Sequence, residues 1–147
     1  MKNWLRGAVA VFYLLGWTFH VYFGLFNPEV YAAFGRTALI PGYNQFWQTV
    51  VMPRITLLAL LLAGFEIVVG LALIFKGRWV KLGLSLSLLF NLFLIQMGLS
   101  FPALNVFSDL YYNRCPNLFF FAIQIYLLFQ SYPASIPQVL REGRDSL

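Results

Sequence analysis

An all-α integral membrane fold, arranged as a four-helix bundle, follows from three features of the sequence. Hydrophobic residues make up 61% of the chain and charged residues only 10%. Four apolar runs of span length are punctuated by Pro, Gly and charged residues. Cations collect at the ends of those runs, not within them. Soluble domains carry about 25% charged and about 45–50% apolar residues, and soluble monomers avoid large exposed apolar patches. These proportions exclude an ordinary soluble enzyme, a disordered tail and a nucleic-acid-binding module. Four spans of about 20 residues each use about 80 residues. The chain therefore reads as one transmembrane domain, residues 1–147, with no room for a soluble catalytic domain.

The first helix is expected over about 5–26, closed by Asn27-Pro28. Its start has the positive charge of a signal peptide, but the apolar run is long and no small-x-small site closes it, so a retained helix is expected. The second is expected over about 55–75, between Pro53-Arg54 and Lys76-Gly77-Arg78, and the third over about 79–99, ending near Pro102. The fourth is expected over about 116–132, stopped by Pro133; at that length it reaches about 25 Å, the shortest span that crosses a bilayer. Lipid offers backbone groups no partner, so these runs must be helices. The second and third form a tight hairpin. The long connection 27–53, with Phe34, Tyr43, Phe46 and Trp47 and little charge, is expected on the outer membrane surface, its aromatics at headgroup depth. No internal repeat or low-complexity run is legible.

Cation placement orients the chain. Lys2, Arg6, Lys76, Arg78, Lys81, Arg141 and Arg144 fall on one side, and Arg36, Arg54 and Arg114 on the other. The positive-inside rule then puts both termini in the cytoplasm, and an even number of spans requires that they share a side. The expected location is the plasma (inner) membrane of a prokaryote, with the bilayer as the chain's first partner. The lone Cys115 cannot form an internal disulfide, a multi-Cys metal site or a C-x-x-C pair. One histidine, His20, builds neither a zinc nor a haem site, so no metal or haem is expected.

Within lipid, helices associate through small residues and interhelical hydrogen bonds. Such stripes recur at helical spacing: Gly16, His20 and Gly24; Ala59, Ala63, Glu66 and Gly70; Gly83, Ser87, Asn91 and Gly98; Asn117, Gln124 and Ser131. At about 1.5 Å per residue, His20, Asn91 and Gln124 fall about 20 Å from the cytoplasmic side, and Glu66 about one turn deeper. Glu66 is the sharpest signal, because a carboxylate near mid-membrane costs several kcal/mol unless it is paired, protonated or hydrated. Two readings stand: a proton-accepting or ligand-binding group, or a protonated carboxyl tying the second and third helices together, with His20 or Asn91 accepting. His20 is a ligand or proton contact, or a satisfied interhelical histidine. Asn91 and Gln124 are ligand-binding amides or simple helix bridges. Gln96 falls at the outer rim.

On the outer side, Arg36, Arg54 and Arg114 either attract an anionic substrate or lipid headgroup or anchor the interface. A nucleophilic Cys115 would need a base, and His20 lies on another helix; Arg114 beside it would favour the thiolate.

The run Ala63-Gly64-Phe65-Glu66-Ile67-Val68-Val69-Gly70-Leu71-Ala72-Leu73, followed by a basic turn and another apolar helix, resembles the DoxX-like family of small four-helix membrane proteins. So do the first helix and Asn27 to Gly35. Asn27 stands where many relatives carry a lysine. The resemblance implies a four-helix bundle with cytoplasmic termini and a link to redox metabolism, since some relatives are membrane subunits of thiosulfate:quinone oxidoreductases.

Three functions compete. In the first, the chain is a quinone-linked redox subunit: Glu66 and His20 handle protons, Asn91, Gln124 and Arg54 bind the ligand, a quinone is the cofactor, and a partner protein or a second copy completes the system. In the second, it is a non-catalytic accessory or assembly subunit whose polar seam only holds the bundle together. In the third, it is a small transporter coupled through Glu66.

Overall fold

A computed structural model of the chain describes residues 1–145. Ser146 and Leu147 of the expected domain, and the side chains of Arg144 and Asp145, lie outside that description. All regular structure among the described residues is helical. Three helices are long and apolar enough to cross a membrane: α1 (Lys2–Phe26), the helical path Tyr43–Ile74, and α4 (Arg78–Met97).

The path Tyr43–Ile74 corrects the expectation of a surface loop up to Pro53. It comprises a short α2 (Tyr43–Phe46), a π turn (Trp47–Val51), a 3-10 turn (Met52–Arg54) and the long α3 (Ile55–Ile74). Pro53 removes one backbone donor, and the chain answers with a change of helical pitch in place of a break. Trp47 turns inward, its Nε1 donating to Tyr31 O at 2.8 Å, and Gln48 donates to Ala32 O at 2.7 Å. The aromatic residues of this stretch thus fold the preceding 3-10 turn, Pro28–Ala33, onto the helix.

The fourth apolar segment is displaced from its expected bounds. A short α5 (Val106–Asp109), a π turn (Leu110–Arg114) and α6 (Cys115–Leu128) run on without interruption. The start is earlier than expected because Asn105 and Ser108 form a reciprocal capping box. The end is earlier because Pro133 clashes with the carbonyl four residues before it. α6 alone is about 21 Å long. A final amphipathic helix, α7 (Ile136–Asp145), has no counterpart in the sequence reading.

The backbone repeats a pattern that the residues conceal. A long helix, an irregular connection, a short helical turn, a π turn, an arginine with a proline close by and another long helix occur twice in the same order. His20 stands six residues before the end of α1, and Asn91 six before the end of α4.

α1 packs along α3, α3 against α4, and α4 against α6, which returns to touch α1. Small residues set the approach: Gly24 meets Ala59, Gly70 meets Leu14, and Gly83 meets Ala72, each so closely that an added Cβ would stand 3.0 Å or less from its neighbour. Two apolar clusters result. One gathers Val9, Tyr13, Val69, Leu73, Leu84 and Leu127, and the other Tyr31, Trp47, Ile55, Ala59 and Met97. Phe12, Leu15, Phe19, Tyr22 and Phe26 face outward along α1, as expected of a surface that meets lipid.

Both ends of the assembly are closed by cations that the charge count treats as flanks. Arg114 is 3% exposed. It donates to Ile95 O (2.6 Å), Gln96 O (3.1 Å) and Thr37 O, and pairs with Asp109 at 3.3 Å. It therefore satisfies carbonyls that the end of α4 leaves without intrahelical partners, and it is not free to attract an anion at the outer face. Gly98 makes room for it: φ is +77°, and a Cβ there would stand 2.6 Å from Arg114 Nη1. At the other end, Lys81 donates to Leu128 O and Tyr132 Oη to Leu127 O (2.7 Å), while fully buried Arg6 donates to Ala134 O. Arg6 and Lys81 both lie over the Tyr132 ring, at 4.8 and 5.7 Å.

Replacing Arg114 with Met should cost about 3 kcal/mol or more, because several buried carbonyls lose their donor at once. Unfolding of the purified protein by graded denaturing detergent measures it. Arg54→Met, which removes one exposed contact to Val50 O, should cost under about 1 kcal/mol in the same assay.

Candidate functional site

Between the two apolar clusters lies a layer of polar side chains, and its best-connected part joins α1, α3 and the loop after α1. The helical register sends His20 and Gly16, one turn apart, toward the same neighbour. His20 Nε2 is 3.4 Å from Glu66 Oε1, and His20 Nδ1 is 2.7 Å from the Tyr31 hydroxyl. Glu66 is 3% exposed and Tyr31 7%; the histidine side chain, between them, is about one-fifth exposed. The result is a three-residue chain, Tyr31–His20–Glu66, running from a loop to the buried middle of α3.

Gly16 is what lets Glu66 sit there. A Cβ at position 16 would stand 2.9 Å from Glu66 Oε2 and 3.0 Å from Oε1, so the carboxyl lies directly on the α1 backbone. Glu66 is thus tied to α1, not to α4 as one sequence reading had it. Of the two acceptors considered, His20 is the one in contact, and Asn91 has no hydrogen-bond partner among the described residues.

The rest of the layer is polar, buried and unpartnered. Glu66 Oε2, Ser87 Oγ, both amide atoms of Asn91 and both of Gln124 have no hydrogen-bond partner among the described residues. Asn91 is 1% exposed, and Ser87 and Gln124 are fully buried. Tyr13 lies beside Ser87 and Gln124 and within electrostatic reach of Glu66, which links the two halves of the layer. Buried polar atoms without partners cost about 1–3 kcal/mol each, so such a concentration marks a place built to meet a polar ligand or ordered water.

Four of the five residues singled out from the sequence thus fall in this layer: His20, Glu66, Asn91 and Gln124. Contact joins His20 with Glu66; Asn91 and Gln124 make no hydrogen bond among the described residues. Arg54 does not belong to it. It is exposed, donates to Val50 O in its own helical path, and lines a shallow surface cleft with Glu29. Ser131, assigned to the polar stripe, is exposed beyond the end of α6. Cys115 is an exposed free thiol at the start of α6.

Sequence reasoning missed Tyr31 and Tyr13. Tyr13 sits seven residues before His20, on nearly the same helical face, and that spacing was the available signal. Tyr31 had none, because its place depends on how the chain turns back after Asn27. The chain was compared with protein-family models, with curated proteins and with solved structures, and nothing matches in any of the three.

Burial, reinforced by the nearby Glu66 charge, pushes the Tyr31 hydroxyl up to about 12. It therefore keeps its proton throughout the physiological range. Tyrosine in the unfolded chain ionises near 10. The contribution of Tyr31 to stability is thus complete below pH 10 and is lost as pH rises from about 10 to about 12. Tyr31→Phe should remove that component of alkaline unfolding. Gly16→Ala should push the Glu66 carboxyl off the α1 backbone and lower the melting temperature in mild detergent by several degrees. Gly64→Ala, where a Cβ meets nothing within 4 Å, should leave the melting temperature nearly unchanged.

Proposed function

We propose that this chain is a four-helix membrane protein of the DoxX-like kind, with both termini in the cytoplasm of a prokaryote, that exchanges protons with a membrane quinone. The observation that carries the reading is the Tyr31–His20–Glu66 chain, which ends at the buried, unpartnered Oε2 of Glu66. An intramembrane carboxyl in contact with the chain's one histidine is the arrangement expected of a proton relay. The cation asymmetry between the two sides supports the topology, and the likeness of Ala63 to Leu73 to the DoxX-like pattern supports the redox setting.

The residues present fit a quinone head group. Its two carbonyl oxygens call for hydrogen-bond donors, and the orphaned amides of Asn91 and Gln124 offer them. When bound, a quinone supplies a carrier for two electrons and two protons that is soluble in the bilayer. Electrons come from a redox partner protein.

The protein's part is proton handling. With Tyr31 donating to Nδ1, the ring proton of His20 sits on Nε2 and points at Glu66 Oε1. A proton arriving from the loop side replaces the Tyr31 hydroxyl proton as that proton passes to Nδ1, and the Nε2 proton passes to the carboxylate, so Tyr31 is never left ionised. Glu66 then holds the incoming proton at mid-membrane. Burial of Glu66 excludes bulk water from the transfer.

The test is equilibrium binding of a short-tailed ubiquinone analogue to the full chain in mild detergent. One analogue per chain should bind, with affinity falling at least tenfold in Glu66→Gln and in His20→Ala while the melting temperature of Glu66→Gln stays within a few degrees. Absence of binding together with a stoichiometric co-purifying protein would overturn the reading and establish the accessory-subunit alternative.

A further inference from the structure

At the end of the molecule where α1 begins and α6 stops, an apolar groove with a cavity volume of about 1000 Å³ opens between α1, the last turn of α3 and α7. Gly7, Val11 and Leu14 of α1, Ile74 of α3 and Ile136 and Leu140 of α7 line it. That volume is at the upper end of pockets that enclose a whole small ligand. Gly7 faces α7, since a Cβ there would stand 3.9 Å from Ile136 Cδ1, in ordinary van der Waals contact. α7 turns Ile136, Val139 and Leu140 toward the groove and leaves Arg141 and Glu142 exposed. This is the division of a helix lying in the plane of a bilayer interface.

The rim is basic. Lys2 lies between the groove residues Met1 and Asn3, and Arg141 follows Leu140. The 76–78 turn brings Lys76 and Arg78 to the same end, because Gly77 N donates to Tyr132 O at 2.8 Å. Glu142 is the one acidic side chain described at that end. An apolar slot closed by an amphipathic helix and edged by cations has the chemistry of an anionic lipid: a hydrocarbon chain for the slot and a phosphate for the rim.

We propose that this groove binds an anionic phospholipid, with one acyl chain between α1 and α7 and the headgroup phosphate held by Lys2 and Arg141. The site is separate from the Tyr31–His20–Glu66 chain and does not depend on the quinone reading. It fixes α7 against the bundle through a lipid that spans the space between them.

Trp4 lines the groove and is 80% exposed, so it reports occupancy. The full chain in mild detergent is titrated with phosphatidylglycerol or phosphatidylcholine carrying brominated acyl chains, and Trp4 quenching is taken as the part lost in Trp4→Phe. Brominated phosphatidylglycerol should bind at least tenfold more tightly than the choline lipid. Ala8→Phe, which fills the groove from an exposed position, should abolish the tight phase. Lys2→Gln with Arg141→Gln should reduce the preference between headgroups to about twofold or less. If Ala8→Phe fails to fold, Val11→Phe replaces it. Equal quenching by the two lipids, or tight quenching that survives Ala8→Phe, would overturn the proposal. So would recovery of a second copy of the chain, in place of lipid, across the groove.

Discussion

The backbone carbonyls at the ends of apolar helices are the constraint on which the rest of this structure depends. Each helix leaves its last carbonyls without intrahelical donors, and an apolar setting gives them no water. The chain answers with cations and a phenol at both ends. Arg114 takes the end of α4 and the Thr37 carbonyl, while Lys81 and Tyr132 take the end of α6. Cations that flank the apolar runs are thus also helix caps. This use explains why Arg114 is buried although it stands at the edge of an apolar run; Arg6, also buried, donates to the Ala134 carbonyl in the connection between α6 and α7.

Those caps fix the loops, and the loops complete the polar layer. Arg114 draws the segment around Thr37 onto α4, and Trp47 draws the turn containing Tyr31 onto the helical path into α3. Only with that turn in place does the Tyr31 hydroxyl reach His20. The close contacts of Gly16 with Glu66, Gly24 with Ala59 and Gly70 with Leu14 then hold α1 against α3. A carboxyl pressed onto a neighbouring helix has little rotamer freedom, which keeps His20 and Glu66 within reach of each other without a rigid covalent frame.

The two π turns bear on both themes. Each directly precedes a change of local geometry before a longer apolar helix, and each ends within a few residues of an arginine and a proline. A π turn carries one extra residue per loop and re-aims the side chains that follow. In the second of them, Asn113 and Arg114 turn inward together; Asn113 exchanges hydrogen bonds with the backbone of Phe101 at 2.8 and 3.1 Å. The cap at the end of α4 therefore depends on an irregularity that a regular helix would not provide.

Composition and the length of the apolar runs were enough to anticipate an all-helical chain with helices long and apolar enough to cross a membrane, because hydropathy is additive along the sequence and needs no partners. Helical spacing also brought out Glu66, His20, Asn91 and Gln124, since a polar group in an apolar run stands out against its background. What the sequence could not reveal depends on contacts between distant segments. Arg54 and Arg114 look alike as flanking cations, yet one is exposed and the other is the main cap of α4, because Gly98 leaves space for it. Tyr31 joins His20 through the way the chain folds back after Asn27. The groove against α7 exists because Pro133 ends α6 and the chain returns to the start of α1, a meeting that no periodicity along one segment encodes.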